Sequence, residues 1–168
     1  MRNEARQGAT LIELLVVCAL IMGVAALTIS TKHLYQRFAA SMELEHLYMA
    51  CRYMQRRAMC THQEQHLIID THARIYCYAG HKHTLAGGVL FGTMPQIKGS
   101  PAQPTGIVTQ PVTFQGNTII FYPTGIISSG TLYLTDNARS CCYALSNAVS
   151  TVSLLRRYAY KKSWQLIE

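Results

Sequence analysis

The feature that most restricts this chain is a run of 22 residues, Ala9 to Ser30, that carries a single charge, Glu13. As an α-helix rising ~1.5 Å per residue it would be about 33 Å long, enough to cross a bilayer core of roughly 30 Å. A carboxylate inside such a helix is costly, of order 2.5–3.5 kcal/mol at the centre and less toward an interface, so it calls for a cation. Two ordinary processing schemes leave it unexplained. A secretory signal has a shorter apolar core and a small-x-small cut, of which Gly23 and Ala25 offer a weak version. A lipoprotein signal needs a small residue before its cysteine, and here Val17 precedes Cys18.

The junction Gly8-Ala9-Thr10-Leu11-Ile12-Glu13-Leu14-Leu15-Val16-Val17 resembles the class III leader junction of type IV prepilins and type II secretion pseudopilins. That resemblance implies a membrane peptidase that cuts after Gly8 and methylates the new amino terminus at Ala9, which stands where the family usually has phenylalanine. Glu13 then matches the acidic fifth residue of the mature chain. Cleavage exposes a cationic amine, and methylation keeps its charge. Among parallel packed helices, Glu13 of one subunit can meet that amine on a neighbour, with the attraction strengthened by low dielectric. An intrachain pairing is the alternative, because residues four apart share a helical face.

The remaining chain suits one compact domain, since 168 residues leave no room for two full-size ones beside a membrane helix. The formal net charge of +7 falls only to +6 after leader removal, with 13 basic against 7 acidic groups. It suits an anionic partner or a solubilising surface. Arg2 and Arg6 flank one end of the apolar run and Lys32 and Arg37 the other, so charge alone barely decides orientation. The resemblance places the leader in the cytoplasm.

Beyond Ser30 neither Pro nor Gly occurs until Gly80. Leu34, Phe38, Met42, Leu47, Cys51, Met54 and Ala58 recur at three to five residues, predicting a helical stripe that packs into a core. Lys32, Arg37, Glu43, Glu45, Arg52 and Arg56 fall largely off it. The helix is expected from about residue 9 to residue 60. Strands are expected at 66–70, 74–78, 118–122, 130–135, 140–146 and 149–158, with Gly/Pro-rich loops over 80–111 and a meander as the simplest connection. The expected fold is α+β and pilin-like: a long N-terminal α-helix, transmembrane half plus amphipathic half, packed on a C-terminal antiparallel β domain. Its parts are a leader (1–8), a transmembrane helix (9–30), the amphipathic continuation (31–61) and an extracytoplasmic β-rich domain (62–168).

Phe121-Tyr122-Pro123-Thr124-Gly125 and Ser129-Gly130-Thr131-Leu132-Tyr133-Leu134, with Arg52, Arg57 and Ala58 near the helix end, are similar to the distal pattern of the GspH/FimT family of minor pseudopilins. The resemblance implies a non-enzymatic subunit of a type II secretion pseudopilus or type IV pilus, at the tip or in initiation. Its implied partners are the prepilin peptidase, other pilins or pseudopilins through the N-terminal helix, the inner-membrane assembly platform, and membrane lipid before assembly. The implied location is the cytoplasmic membrane, single-pass with the C-terminal domain outside, and then the filament.

Other sites are less specific. Cys77, His81 and His83 are possible zinc ligands, but three donors with no obvious fourth, two of them in a turn, read as solvated loop residues, so neither metal nor cofactor is expected. A nucleophilic cysteine needs a base and an orienting third group, and seven scattered histidines make chance pairings unavoidable, while no carboxylate pair stands out. The tail Arg156-Arg157-Tyr158-Ala159-Tyr160-Lys161-Lys162-Ser163-Trp164 interleaves cations with rings that could stack on bases. DNA is therefore an alternative partner, in natural transformation. The Gly-Arg-x-Arg element used by DNA-binding members of the resembling branch is absent, and an edge strand guarded by lysines explains the same residues.

Overall fold

A computed structural model describes residues 10–95, 97, 99, 101, 106, 108–147 and 154–167, with backbone alone for 26–34. Among the described residues, helix α1 (Leu11–Thr61) is followed by nine strands: β1 (Gln65–Asp70), β2 (Ile75–Tyr78), β3 (His81–Thr84), β4 (Val89–Phe91), β5 (Thr118–Phe121), β6 (Gly130–Asp136), β7 (Cys142–Asn147), β8 (Arg156–Tyr160) and β9 (Trp164–Ile167). The long helix and antiparallel sheets are the α+β arrangement expected. The chain divides into two compact units, residues 1–35 and 36–168.

In the first unit, α1 is apolar on every side from Leu11 to Val24 apart from Glu13: Leu11, Ile12, Leu14, Leu15, Val16, Val17, Leu20, Ile21, Met22 and Val24 are all at least half exposed. Among the described residues no helix is long and apolar enough to cross a membrane. The expected span includes Ala9, outside the described residues, and 26–30, for which only backbone is described.

In the second unit the buried stripe of α1 is Ala40, Leu44, Leu47, Cys51, Met54 and Ala58. Its steps alternate four and three, which keeps one face inward over the whole length. This corrects the expected stripe, because Phe38 and Met42 are exposed. Leu47 is reached from Leu44 by a step of three, so the inward line passes through Ala40 and leaves the bulkier Phe38 and Met42 outside. Glu43, expected off the stripe, is buried as well.

The strands form two sheets, ordered β3-β2-β1-β5 and β4-β6-β7-β8-β9. Neighbours are antiparallel throughout. A simple meander is therefore incorrect. The Gly/Pro-rich segment expected as loop contains β3 and β4, and β4 joins the second sheet while β5 returns to pair with β1. The last strands are displaced from expectation too: β8 starts at Arg156, and β9 is an additional edge strand.

Leu67, Ile69, Tyr76, Ile119 and Phe121 from the first sheet join Leu132, Leu134 and Leu145 from the second in one core with the helix stripe. Each fully buried Leu, Ile or Phe contributes ~1.5–3 kcal/mol. The second sheet is covered on both faces. Alternation sends Leu132, Leu134 and Leu145 toward the helix, while Tyr133, Cys142 and Ala144 form a smaller cluster with Ile97, packed by Tyr158, Tyr160 and Trp164.

Two glycines of the distal pattern lock this packing. Gly125 (φ +83°) ends the turn from Tyr122, its N–H donating to the Tyr122 carbonyl at 2.9 Å. The Gln55 Nε2–H of α1 donates to the Gly125 carbonyl at 2.7 Å in a buried setting. At Gly130 the Phe114 ring lies 2.5 Å from where a Cβ would stand, so no side chain fits. All six cysteines are free thiols, with Cys51, Cys141 and Cys142 buried. Burial pushes the Cys51 thiol far above its ordinary range, Cys142 to about 12 and Cys141 to about 11.

Candidate functional site

Gly8 and Ala9 lie outside the described residues. Glu13 sits in the first turn of α1, exposed, and its Oε2 accepts the Thr10 backbone N–H at 3.3 Å. The Thr10 carbonyl accepts the N–H groups of Glu13 (3.0 Å) and Leu14 (3.2 Å). Thr10 and Glu13 thus stand as cap and third helical residue, with the glutamate returning to the cap as in a capping box. An anion here also meets the positive end of the helix dipole. The Thr-x-x-Glu spacing before an apolar run was available to a sequence reading and was missed.

The basic tail is split by strand alternation. Arg157 pairs with Leu145 of β7 and so faces the helix side. There its guanidinium forms an ion pair with Glu45 and lies 4.6 Å over the Tyr48 ring. Tyr158 and Tyr160, opposite Ala144 and Cys142, face the other way and pack on the smaller cluster. Trp164 meets Tyr133 (5.7 Å) and Tyr160 (5.3 Å) between ring centroids, and its Nε1–H donates to the Gly99 carbonyl at 2.7 Å. Arg156, Lys161 and Lys162 are the exposed cations of this hairpin. The three rings that suggested base stacking are half-buried.

A third group gathers between α1 and the β2–β3 hairpin. Tyr76 stands opposite His83, and Tyr78 opposite His81, so all four side chains share one sheet face. Cys77, opposite Lys82, belongs to the other face. The Cys77, His81 and His83 set weighed from sequence is therefore not brought together. What meets His83 is the helix: its Nε2 lies 3.0 Å from Oε2 of buried Glu43, whose Oε1 accepts the Ala86 N–H at 3.0 Å. The His46 ring stands edge-on to His83, 5.8 Å between centroids. His83 also lies against Tyr76 (4.8 Å), whose hydroxyl is raised above its ordinary range by burial and then by the charge of Glu43. Beside them is a cavity of about 520 Å³ lined by His46, Met49, Tyr53, Tyr78, His81 and His83.

No family model matches the chain, and no curated protein matches it. Among solved structures it is similar to the minor pseudopilin EpsH from the Type 2 Secretion System of Vibrio cholerae, at 11% identity and a TM-score of 0.40, over 77% of this chain and 95% of that one.

Proposed function

We propose that this chain is a minor pilin-like subunit, cut after Gly8 by a prepilin peptidase, methylated on Ala9, and assembled through its N-terminal helix into a type II secretion pseudopilus or type IV pilus. The observation that carries the reading is Glu13, the one charge on a helix surface that is otherwise apolar on every side from Leu11 to Val24. A helix with that surface needs lipid or other apolar helices around it. Lipid before assembly and neighbouring subunits after it meet that need in turn, with the assembly platform of the inner membrane effecting the transfer.

The local geometry adds a role for Glu13 before any partner arrives. Held to the Thr10 N–H, its carboxylate is pre-positioned at the helix start. The amine created at Ala9 would lie one residue away from the cap, and a neighbour's amine would compete for the same oxygens. The subunit performs no chemistry of its own in this reading, and the sequence pattern over 121–125 and 129–134, similar to that of minor pseudopilins, supports a place at the tip or in initiation.

Mass spectrometry of the mature protein should find a chain that begins at methylated Ala9. Glu13→Gln should still be cleaved yet enter the filament at least tenfold less well. Normal incorporation of that variant, or an intact Met1 terminus in cells that hold the peptidase, would overturn the reading.

A second reading, a DNA-binding minor pilin in natural transformation, draws on the exposed Arg156, Lys161 and Lys162. It needs phosphate contacts alone, because the aromatic side chains of the hairpin are engaged in packing.

A further inference from the structure

The cluster between α1 and β3 has a role the filament reading leaves unused. Burying a carboxylate requires a cation or a full set of donors, and Glu43, 6% exposed, has one backbone donor and one imidazole. His46 adds a second imidazole from the next turn of the same helical face, at a Glu-x-x-His spacing that directs carboxylate and imidazole to one point in helix-borne metal sites. One ligand atom from each of Glu43, His46 and His83 lies within 4.8 Å of the other two.

We propose that Glu43, His46 and His83 form a binding site for a divalent transition-metal ion, zinc by its ligand chemistry. Two imidazole nitrogens and a carboxylate oxygen are borderline donors of the kind zinc takes at about 2.0–2.2 Å. Donors on a tetrahedral ion at those lengths stand roughly 3.3–3.6 Å apart. The Glu43–His83 pair, at 3.0 Å, is already close to that spacing, and exposed His46 closes the rest by side-chain rotation. The Ala86 N–H fixes the second Glu43 oxygen, the kind of supporting bond that orients a metal-bound carboxylate. On binding, the proton shared by His83 Nε2 and Glu43 Oε2 leaves to solvent, and both atoms turn to the ion. Water would supply a fourth ligand, since His46 and His83 both line the open cavity. Bound there, the metal ties the edge strand β3 to the helix.

The alternative is an ion pair between Glu43 and protonated His83, in which neither His46 nor zinc has any part. The two are separated with tag-free, reduced, chelator-stripped full-length protein in detergent, titrated with zinc by calorimetry. One equivalent is expected to bind and to raise the melting temperature by about 5 °C or more at a hundredfold excess over Kd. His46→Ala should weaken binding at least tenfold without lowering the metal-free melting temperature, and His81→Ala, on the same cavity, should not. Cobalt in place of zinc should give visible bands with no thiolate charge-transfer band, separating this site from the free cysteines. No zinc binding, binding unchanged in His46→Ala, or a thiolate band at one equivalent would each overturn the proposal. His83→Ala serves as a second ligand test if it folds, and His46→Ala decides the matter if it does not.

Discussion

The two stretches of α1 on either side of Tyr35 contrast sharply. From Leu11 to Val24 large apolar side chains point in every direction, and all are exposed. From Ala39 to Ala58 one face is buried, and the opposite side mixes Arg52, Arg56 and Arg57 with exposed Met42, Met49 and Tyr53. The same secondary structure thus serves two environments. Helix formation is common to both, because neither has an internal proline; the surroundings each requires are written in how its apolar residues are distributed around the axis.

The contrast is most easily broken at equivalent leucines. Leu47→Ala, which empties a fully buried site, should cost about 2–5 kcal/mol in denaturant unfolding of the full chain in detergent. Leu15→Ala, on the exposed apolar stretch, should leave that transition within about 0.5 kcal/mol and act on filament incorporation instead. Equal losses from both would mean that the two stretches do not differ in the way argued.

A smaller effect is expected where the second sheet is fastened by charge. Asp136 is fully buried at the end of β6 and accepts the Ser140 and Cys141 N–H groups at 2.6 and 3.1 Å, as well as the Ser140 hydroxyl at 2.7 Å. Burial alone would raise its carboxyl; the hydrogen bonds outweigh burial and leave it below its ordinary value. With the folded value depressed, its stabilisation is complete above the unfolded carboxyl value of ~3.9 and is lost as pH falls through the folded one. Asp136→Asn should cost about 1–3 kcal/mol at neutral pH. It should also flatten the loss of stability below about pH 4, as thermal melts across that range would read.

Least affected should be the exposed cations of the terminal hairpin. Replacing Arg156, Lys161 and Lys162 by alanine should change stability by less than about 0.5 kcal/mol each. If the hairpin contacts DNA, the triple variant should also bind more weakly and with a shallower salt dependence in a filter or anisotropy titration. Arg157→Ala differs in kind, since it removes the partner of Glu45 and the cover of Tyr48.

Much of this was legible in the sequence because it is local. Unbroken helix, the Leu47–Cys51–Met54–Ala58 part of the stripe, and the strands before and after the Gly/Pro-rich segment follow from periodicity and punctuation. What escaped depends on pairings distant in the chain. Nothing near Gly80 shows that β5 returns to β1 while β4 goes to β6. The tail looked like one basic aromatic unit until the register turned Arg157 to one face and Tyr158 and Tyr160 to the other. The same logic separated Cys77 from His81 and His83, and tertiary packing supplied Glu43 and His46 from α1. Ala40 was overlooked because its small side chain gives a weak apolar signal, whereas Phe38 and Met42 give strong ones from exposed positions.

The alternating three- and four-residue steps from Ala40 to Ala58 make the rod intolerant of changes in length there. One residue added or removed after Leu47 would turn everything beyond it by ~100° about the axis, carrying Cys51, Met54 and Ala58 off the sheets and swinging neighbouring side chains into their place. The uniformly greasy stretch before Val24 has no such angular key. Variation by insertion or deletion should accordingly be excluded from 40–58 far more strictly than from 14–24.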